Sequence, residues 1–335
     1  MVTDARVVRP EWLSQLRPYG HADRGKAVVQ LLTSLGPYAA LWAAMIITVK
    51  LGWPILVTFG LAVVAAGFLA RIFIIFHDCC HGSFFASRGA NRFWGYVTGI
   101  LTLTPFHEWR QSHARHHATV GDLDNRGSGD VYTMTVAEYR AASPLRRLGY
   151  RFFRNPLVMF GLGPVGVFII SQRYTPKGAG KRARASTVIT NLALLAILAI
   201  SWATIGLGTY VALQVAVTWT TGIFGIWLFY VQHQFEDVYW SRHEDWDRVR
   251  AAMEGSSYYK LPKLLQWFSG NIGFHHIHHL RPSIPNYNLQ ACYEAIPEVQ
   301  DVKHLTLRTS LRCLGLALWD EEAGKLVRFR DVRLA

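Results

Sequence analysis

The sequence predicts an all-α integral membrane protein, with four transmembrane helices, interfacial helices and a cytoplasmic helical cap that holds a histidine-rich site for two metal ions. Three observations predict it. Residues 27–49, 51–70 and 185–235 carry no charged side chain. A helix crosses a bilayer in roughly 20 apolar residues, so the third block is long enough to cross twice. Lysine and arginine collect beside these blocks rather than inside them, and most of the 14 histidines stand in clusters with helical spacing.

The four spans are expected near residues 30–50, 54–76, 187–206 and 210–231. The short links between the first and second spans, and at 207–209, are poor in charge, as outside loops are. The N-terminus, the long segment 77–186 and the tail 232–335 then share the cytoplasmic side, and the whole chain forms one domain. Two shorter apolar stretches remain. Phe93–Phe106 is too short to cross comfortably, and Leu157–Ile170 contains Gly161, Gly163, Pro164 and Gly166, which are expected to break a helix. Both are read as interfacial or re-entrant. Thr135-Val136-Ala137-Glu138 has the form of a capping box ahead of a short helix.

The net charge of +13 raises the question of nucleic acid, which strong basicity often serves. Here Arg146, Arg147, Arg151, Arg154, Lys177, Lys181, Arg182 and Arg184 flank the apolar blocks. That is the positive-inside pattern, so no nucleic-acid partner is expected. The 4 cysteines, Cys79, Cys80, Cys292 and Cys313, have neither metal-site nor secreted-disulfide spacing. Met1–Gly25 has no apolar core, so no cleaved signal peptide is expected and the first span is read as the insertion signal.

The histidines carry the chemistry. His77 and His81 form HxxxH at the end of the second span. His113, His116 and His117 form HxxHH, and so do His275, His278 and His279, with His276 between them; His233 ends the fourth span. Residues i, i+3 and i+4 share a helix face, so each cluster is read as presenting its imidazoles together, with His276 turned away. That gives nine candidate ligands. A tetrahedral ion uses four, so nine suit two ions with room for oxygen or water. Imidazole suits zinc, copper, iron and nickel alike, and residue type alone leaves the metal open. His21, His107, His243 and His304 are read as ordinary histidines. His107-Glu108 starts an HExxH, but position 111 is glutamine, so no zincin site is present. Cys79 and Cys80 are read as packing residues. Asp78, Glu108, Asp122, Asp124, Glu236 and Asp237 are candidates for carboxylates that fix a ligand imidazole from behind.

The three boxes His77-Asp-Cys-Cys-His81, His113-Ala-Arg-His116-His117 and His275-His-Ile-His278-His279 resemble, in order and spacing, those of the membrane fatty acid desaturases. The runs Gly129–Thr135, Val231–Glu236 and Ile284–Leu289 make the chain look most like bacterial acyl-lipid desaturases of the Δ5 phospholipid type. The resemblance implies a multi-pass protein of the bacterial plasma membrane with a two-iron centre. It implies use of O2 to place a cis double bond in an acyl chain of a membrane lipid. It also implies a separate electron carrier, such as ferredoxin or flavodoxin, with its reductase. An unactivated C–H bond lies beyond acid–base chemistry, so a redox metal fits. The spans are expected to enclose a narrow apolar tunnel, with Trp227, Tyr230 and Tyr239 lining it or anchoring at the headgroup level. Related readings are a lipid or alkane hydroxylase and a carotenoid ketolase with the same metals. More distant ones are a membrane zinc lipid hydrolase and a membrane metal sensor.

Overall fold

The computed structural model describes residues 10–127 and 129–333. The expectation for Met1–Gly25 therefore lies partly outside the described residues. Four long helices form the apolar part: α1 (Arg24–Lys50), α2 (Ile55–His81) and, after the central segment, the pair Lys181–Thr204 and Leu207–His233. All four are long and apolar enough to cross a membrane. Ile55, Leu56, Leu192, Ile200 and Trp202 are each at least 60 % exposed, a surface suited to lipid and costly in water.

Each helix begins or ends a few residues beyond the apolar run that predicts it, because polar residues continue the winding at the membrane surface. The clearest case is α2. It continues past the expected end at 76 to His81, where Gly82 takes a left-handed conformation (φ 74°) and its N–H reaches back to carbonyls of the last turn. Such a glycine stops a helix cleanly. Here it leaves His77 and His81 on the final turns. Against α2 lies α1, with Tyr38 and Met45 meeting Ala62, Ala65, Ala66 and Leu69. The small side chains let the two backbones approach closely.

Between α2 and the second long pair run α3 (Arg88–Leu101), α4 (Phe106–Thr119), α5 (Val136–Ala141) and α6 (Pro144–Phe153). At 14 residues, α3 rises roughly 21 Å, short of a hydrocarbon core of ~30 Å. The capping box before α5 is present, with Thr135 and Glu138 bonded reciprocally. One expectation is corrected. Leu157–Leu162 and Val165–Ile170 keep winding, as π-helical turns, through the glycines and Pro164. Each π stretch starts directly after a proline, where the missing N–H is not needed. The pair α6 and Leu157–Arg173 bends by 58°, the shape of a re-entrant or broken segment. The second long pair is α7 (Lys181–Thr204) and α8 (Leu207–His233).

The tail adds α9 (Arg248–Met253), α10 (Lys263–Phe268), α11 (His275–Leu280), α12 (Asn286–Ala295) and α13 (Leu307–Ser310). Its few strands are two or three residues long. Met134–Thr135 pairs in parallel with Leu318–Asp320, which pairs antiparallel with Lys325–Val327; Tyr258–Tyr259 pairs in parallel with His304–Leu305. The first of these pairings fastens the tail onto the central segment, and the other two tie the tail to itself. The tail thereby lies across the ends of α2 and α8.

Candidate metal centre

Four elements deliver nine imidazoles to one place: His77 and His81 from α2, His113, His116 and His117 from α4, His233 from α8, and His275, His278 and His279 from α11. They fall into two nests. His77, His81, His113, His117 and His278 form one; His116, His233, His275 and His279 form the other. Within each nest the ligand-type atoms lie within 4.8 Å of one another.

The division corrects the sequence reading, in which each HxxHH acts as a single face. In both boxes the i and i+4 residues stay together while the i+3 residue goes to the other nest. Helix geometry accounts for this. At about 100° per residue, i+4 lies about 40° from i on one side and i+3 about 60° on the other, so i+3 and i+4 diverge by about 100°. One box therefore serves two nests. The two nests touch where His117 and His279 stack, with ring centroids 4.3 Å apart.

In the first nest four Nε2 atoms close a ring. His77 lies 3.1 Å from His278 and 3.1 Å from His113, His113 lies 3.1 Å from His117, and His117 lies 2.9 Å from His278. A flat ring with edges near 3 Å has its centre roughly 2.1 Å from each corner, the edge divided by √2, which is the length of a metal–imidazole bond. In the second nest His275 Nε2 lies 2.9 Å from His233 Nε2 and 3.1 Å from His279 Nε2.

Burial holds His113, His116, His117, His275, His278 and His279 well below the usual histidine range, and the neighbouring histidines add to the effect. They are neutral, with a free lone pair each. Some of the nitrogens in the nests have no hydrogen-bond partner at all. His81 Nε2 and both ring nitrogens of His116 are buried without a hydrogen-bond partner. Buried polar atoms are rarely left so. A set of crowded, neutral imidazoles, two of them with an unpartnered Nε2, fits two cations and meets the demand for deprotonated nitrogen ligands.

Behind the nests, Asp78 Oδ1 lies 3.0 Å from His77 Nδ1, and the Gly255 carbonyl lies 3.1 Å from His233 Nδ1. Each contact places a proton on Nδ1 and turns the Nε2 lone pair inward. Of the six acids nominated from sequence, Asp78 alone has a described hydrogen bond to one of the nine imidazoles. Asp122 takes His243, Asp124 takes Arg242 and Asp237 takes Lys303. Gly255 escaped the sequence reading, because backbone carbonyls carry no residue signal. Trp109 escaped as well; it stacks on His113 at 4.3 Å, and its i−4 spacing on α4 was the available clue.

The remaining histidines lie outside both nests. His276 is buried and points away, its Nε2 2.8 Å from the Val299 carbonyl. His107 packs on Tyr96 and Phe106, and His304 lies by Tyr293. Cys79 and Cys80 pack among Ala27, Leu31, Ile75 and Phe106.

Beneath the nests lies a cavity of about 710 Å³ between α2, α8 and the π-helical segment. Its walls are chiefly apolar, and His77, His113 and His275 reach it at one end. Trp227, Tyr230 and Tyr239 do not line it, which corrects the first of the two roles expected of them. Trp227 Nε1 donates to Tyr259 and the Tyr230 hydroxyl to the Cys313 and Leu316 carbonyls, while Tyr239 packs against Val120 and Ala251. The tail satisfies their polar atoms. The aromatic wall comes from Phe73, Trp109, Phe168 and Phe229 instead.

Comparison with known proteins agrees with this geometry. The family model for fatty acid desaturases matches residues 51–310, a stretch that contains both nests and the cavity. A fatty acid desaturase of Bacillus subtilis (strain 168) is 46% identical over 95% of this chain and 90% of its own length. An sn-1 acyl-lipid omega-3 desaturase (ferredoxin) of Nostoc sp. is 30% identical over 68% of this chain and 64% of its own. An sn-1 oleoyl-lipid 12-desaturase of Synechocystis sp. is 25% identical over 69% of this chain and 65% of its own. With two imidazole nests over an apolar cavity and relatives of this kind, the chain belongs to the fatty acid desaturase family, a family of membrane-bound oxidoreductases.

Proposed function

We propose that the nine imidazoles hold two irons, five ligands around one and four around the other. We propose that the chain uses O2 to place a cis double bond in an acyl chain of a membrane lipid, on the cytoplasmic side of a bacterial plasma membrane. The observation that carries this reading is the position of the nests at one end of an apolar cavity of about 710 Å³. Bound irons would supply the O2 activation that removal of hydrogen from unactivated methylenes requires.

The chain's own residues do the rest. Asp78 and the Gly255 carbonyl hold the Nδ1 protons of His77 and His233, so those rings keep one tautomer and one orientation. The cavity walls strip water from the acyl chain and align it, which burial of its methylenes favours by about 0.8 kcal/mol each. The electrons come from a separate carrier, ferredoxin or flavodoxin, served by a reductase. Ferredoxin stands in the name of the Nostoc relative, and that name also supports an acyl-lipid substrate.

The test is expression in a host that lacks the activity, with lipid analysis and location of the double bond, alongside metal analysis of the purified chain. The expected result is a cis alkene and two irons per chain. An alcohol or ketone product points to the hydroxylase or ketolase reading, and zinc without iron points to a hydrolase.

A further inference from the structure

The cavity uses one stripe of α8: Thr218, Thr221, Gly222, Gly225, Phe229 and Gln232 all face it. The stripe ends beside His233, so depth below the metal level can be read along the helix. Gly225 stands eight residues before His233, roughly 12 Å at 1.5 Å per residue. On α2, Ala70 and Leu69 line the same cavity seven and eight residues before His77, roughly 10–12 Å down. Gly225 therefore stands at the depth where the α2 wall of the cavity ends.

Below this level the cavity continues past Gly222 and Thr221 to Thr218, and hydrogen bonds tie its walls together there. The Thr221 hydroxyl donates to the Ala66 carbonyl at 3.1 Å and joins α8 to α2. The Trp219 indole donates to the Gly161 carbonyl at 2.7 Å and joins α8 to the π-helical segment. At Gly222 an added Cβ would sit 2.6 Å from Pro164 Cβ, so that glycine is spent on packing. Gly225 differs. An added Cβ there would meet nothing within 4 Å, although the residue faces the cavity. Of the two glycines in the stripe, one is required by a neighbouring wall and the other leaves space open.

We infer that Gly225 is a specificity-determining residue: its missing side chain sets how deep an acyl chain can descend, and hence which chain lengths are accepted and where along them the double bond falls. The inference rests on the desaturase reading of the site. A lipid's headgroup is polar and stays at the surface, since burying it without partners costs several kcal/mol. The methyl end is the end that descends toward Thr221 and Gly222. A side chain at 225 raises the floor. Chains held at the headgroup must then be shorter, and chains held by their methyl end present carbons nearer that end to the metals.

The test is a graded series, Gly225→Ala, Gly225→Val and Gly225→Leu, expressed in a host lacking the activity and fed myristate, palmitate or stearate. The alkenes are quantified by chain length and bond position. One methylene in an apolar pocket discriminates by about ten-fold or more, so the ratio of myristate-derived to stearate-derived alkene should rise stepwise through the series, by about ten-fold or more at Val. A move of the double bond toward the methyl end in Val or Leu supports the same assignment. Should Leu make no product, Ala and Val still decide. A wild-type distribution of lengths and positions in Ala and Val overturns the inference, and so does a loss equal for all three chain lengths. The wild-type chain separates the two levels, because failure to make any alkene overturns the desaturase reading itself.

Discussion

Asn286 grips Asp78 with two donors. Its backbone N–H and side-chain Nδ2 lie 2.6 and 2.9 Å from one carboxylate oxygen, while the other oxygen faces His77 Nδ1 at 3.0 Å. Asn286 is itself held by Gln30 from α1, and its carbonyl accepts from Asn271. Asp78 is 1% exposed, so the carboxylate has exchanged water for these partners. The arrangement makes Asn286 a positioning residue for His77, acting through Asp78.

Asp78→Asn keeps the shape but offers an amide in place of the carboxylate that fixes the Nδ1 proton. Loss of such a partner typically weakens metal binding 10- to 100-fold. The expected outcome is folded protein with lowered iron affinity, read by iron content after competition with a chelator. Asn286→Leu should fall in the same range, and Asn286→Asp should be worse, because it sets two carboxylates side by side. Wild-type iron retention in Asp78→Asn would remove the positioning role.

The division of the boxes between nests predicts a separable loss of metal. His116→Ala and His233→Ala should empty the second nest and leave iron in the first. His81→Ala and His113→Ala should do the reverse. Iron per chain, measured on purified protein, should drop by one in each variant while product disappears in all of them. Loss of both irons from every variant would show that the nests do not load independently.

His276→Ala tests the direction of a side chain. The ring is buried, burial pushes its pKa down to about 3, and its Nε2 donates to the Val299 carbonyl. Removing it leaves that carbonyl unpaired and costs about 1–3 kcal/mol of stability, without removing a ligand. Iron content should stay at the wild-type value and thermal stability should fall, whereas His275→Ala should lose both iron and product. The reverse pattern would reassign the third box.

The fold and most of the site were legible because both are written in periodic signals. Uncharged blocks of bilayer length marked the four long helices, and i, i+4 spacing paired His77 with His81 and His275 with His279. Signals of that kind describe single elements. They do not say which neighbour receives each face, and so the split of HxxHH between two nests was missed. Asn286 and Asp78 are 208 positions apart, and no local pattern joins them. The winding of 157–170 through Gly161, Gly163 and Pro164 was misread for a related reason. Helix propensity is measured in water, and an apolar segment packed against Ile226 and Trp227 of α8 answers to its neighbours instead.

Topology follows from α2 and α8. Both end in ligand-type histidines, so both deliver their C-termini to one side, and α4 and α11 must lie there too. Reporters of membrane sidedness placed near residues 120 and 285 should both report the cytoplasm. Opposite sides would break the four-span arrangement, since α7 and α8 would then no longer return the chain to the side it left.

The electron supply gives the last prediction. Desaturation with O2 consumes two electrons beyond those taken from the substrate, and the chain has no glycine-rich nucleotide site, no CxxC pair and no His-Pro-Gly-Gly motif of a fused haem domain. The separate one-electron carrier proposed above then needs a docking face close to the nests. Arg110 and Arg115 are exposed on α4, the helix that carries three of the ligands, and Lys181, Arg182 and Arg184 are exposed at the start of α7, which packs against α4. None of these five takes part in a described salt bridge. Trp109, one position from Arg110, stacks on His113, so a carrier seated on this face stands close to the first nest. Purified enzyme should be inactive with NADPH alone and active once a reductase and an acidic carrier are added. Arg110→Glu with Arg182→Glu should raise the carrier's KM several-fold and leave iron content unchanged. The effect should shrink with added salt, because exposed charges are screened over about 8 Å at physiological ionic strength and over about 3 Å at 1 M. A carrier KM unmoved by the double reversal would place the electron entry on another face, and turnover with NADPH and no added protein would remove the carrier altogether.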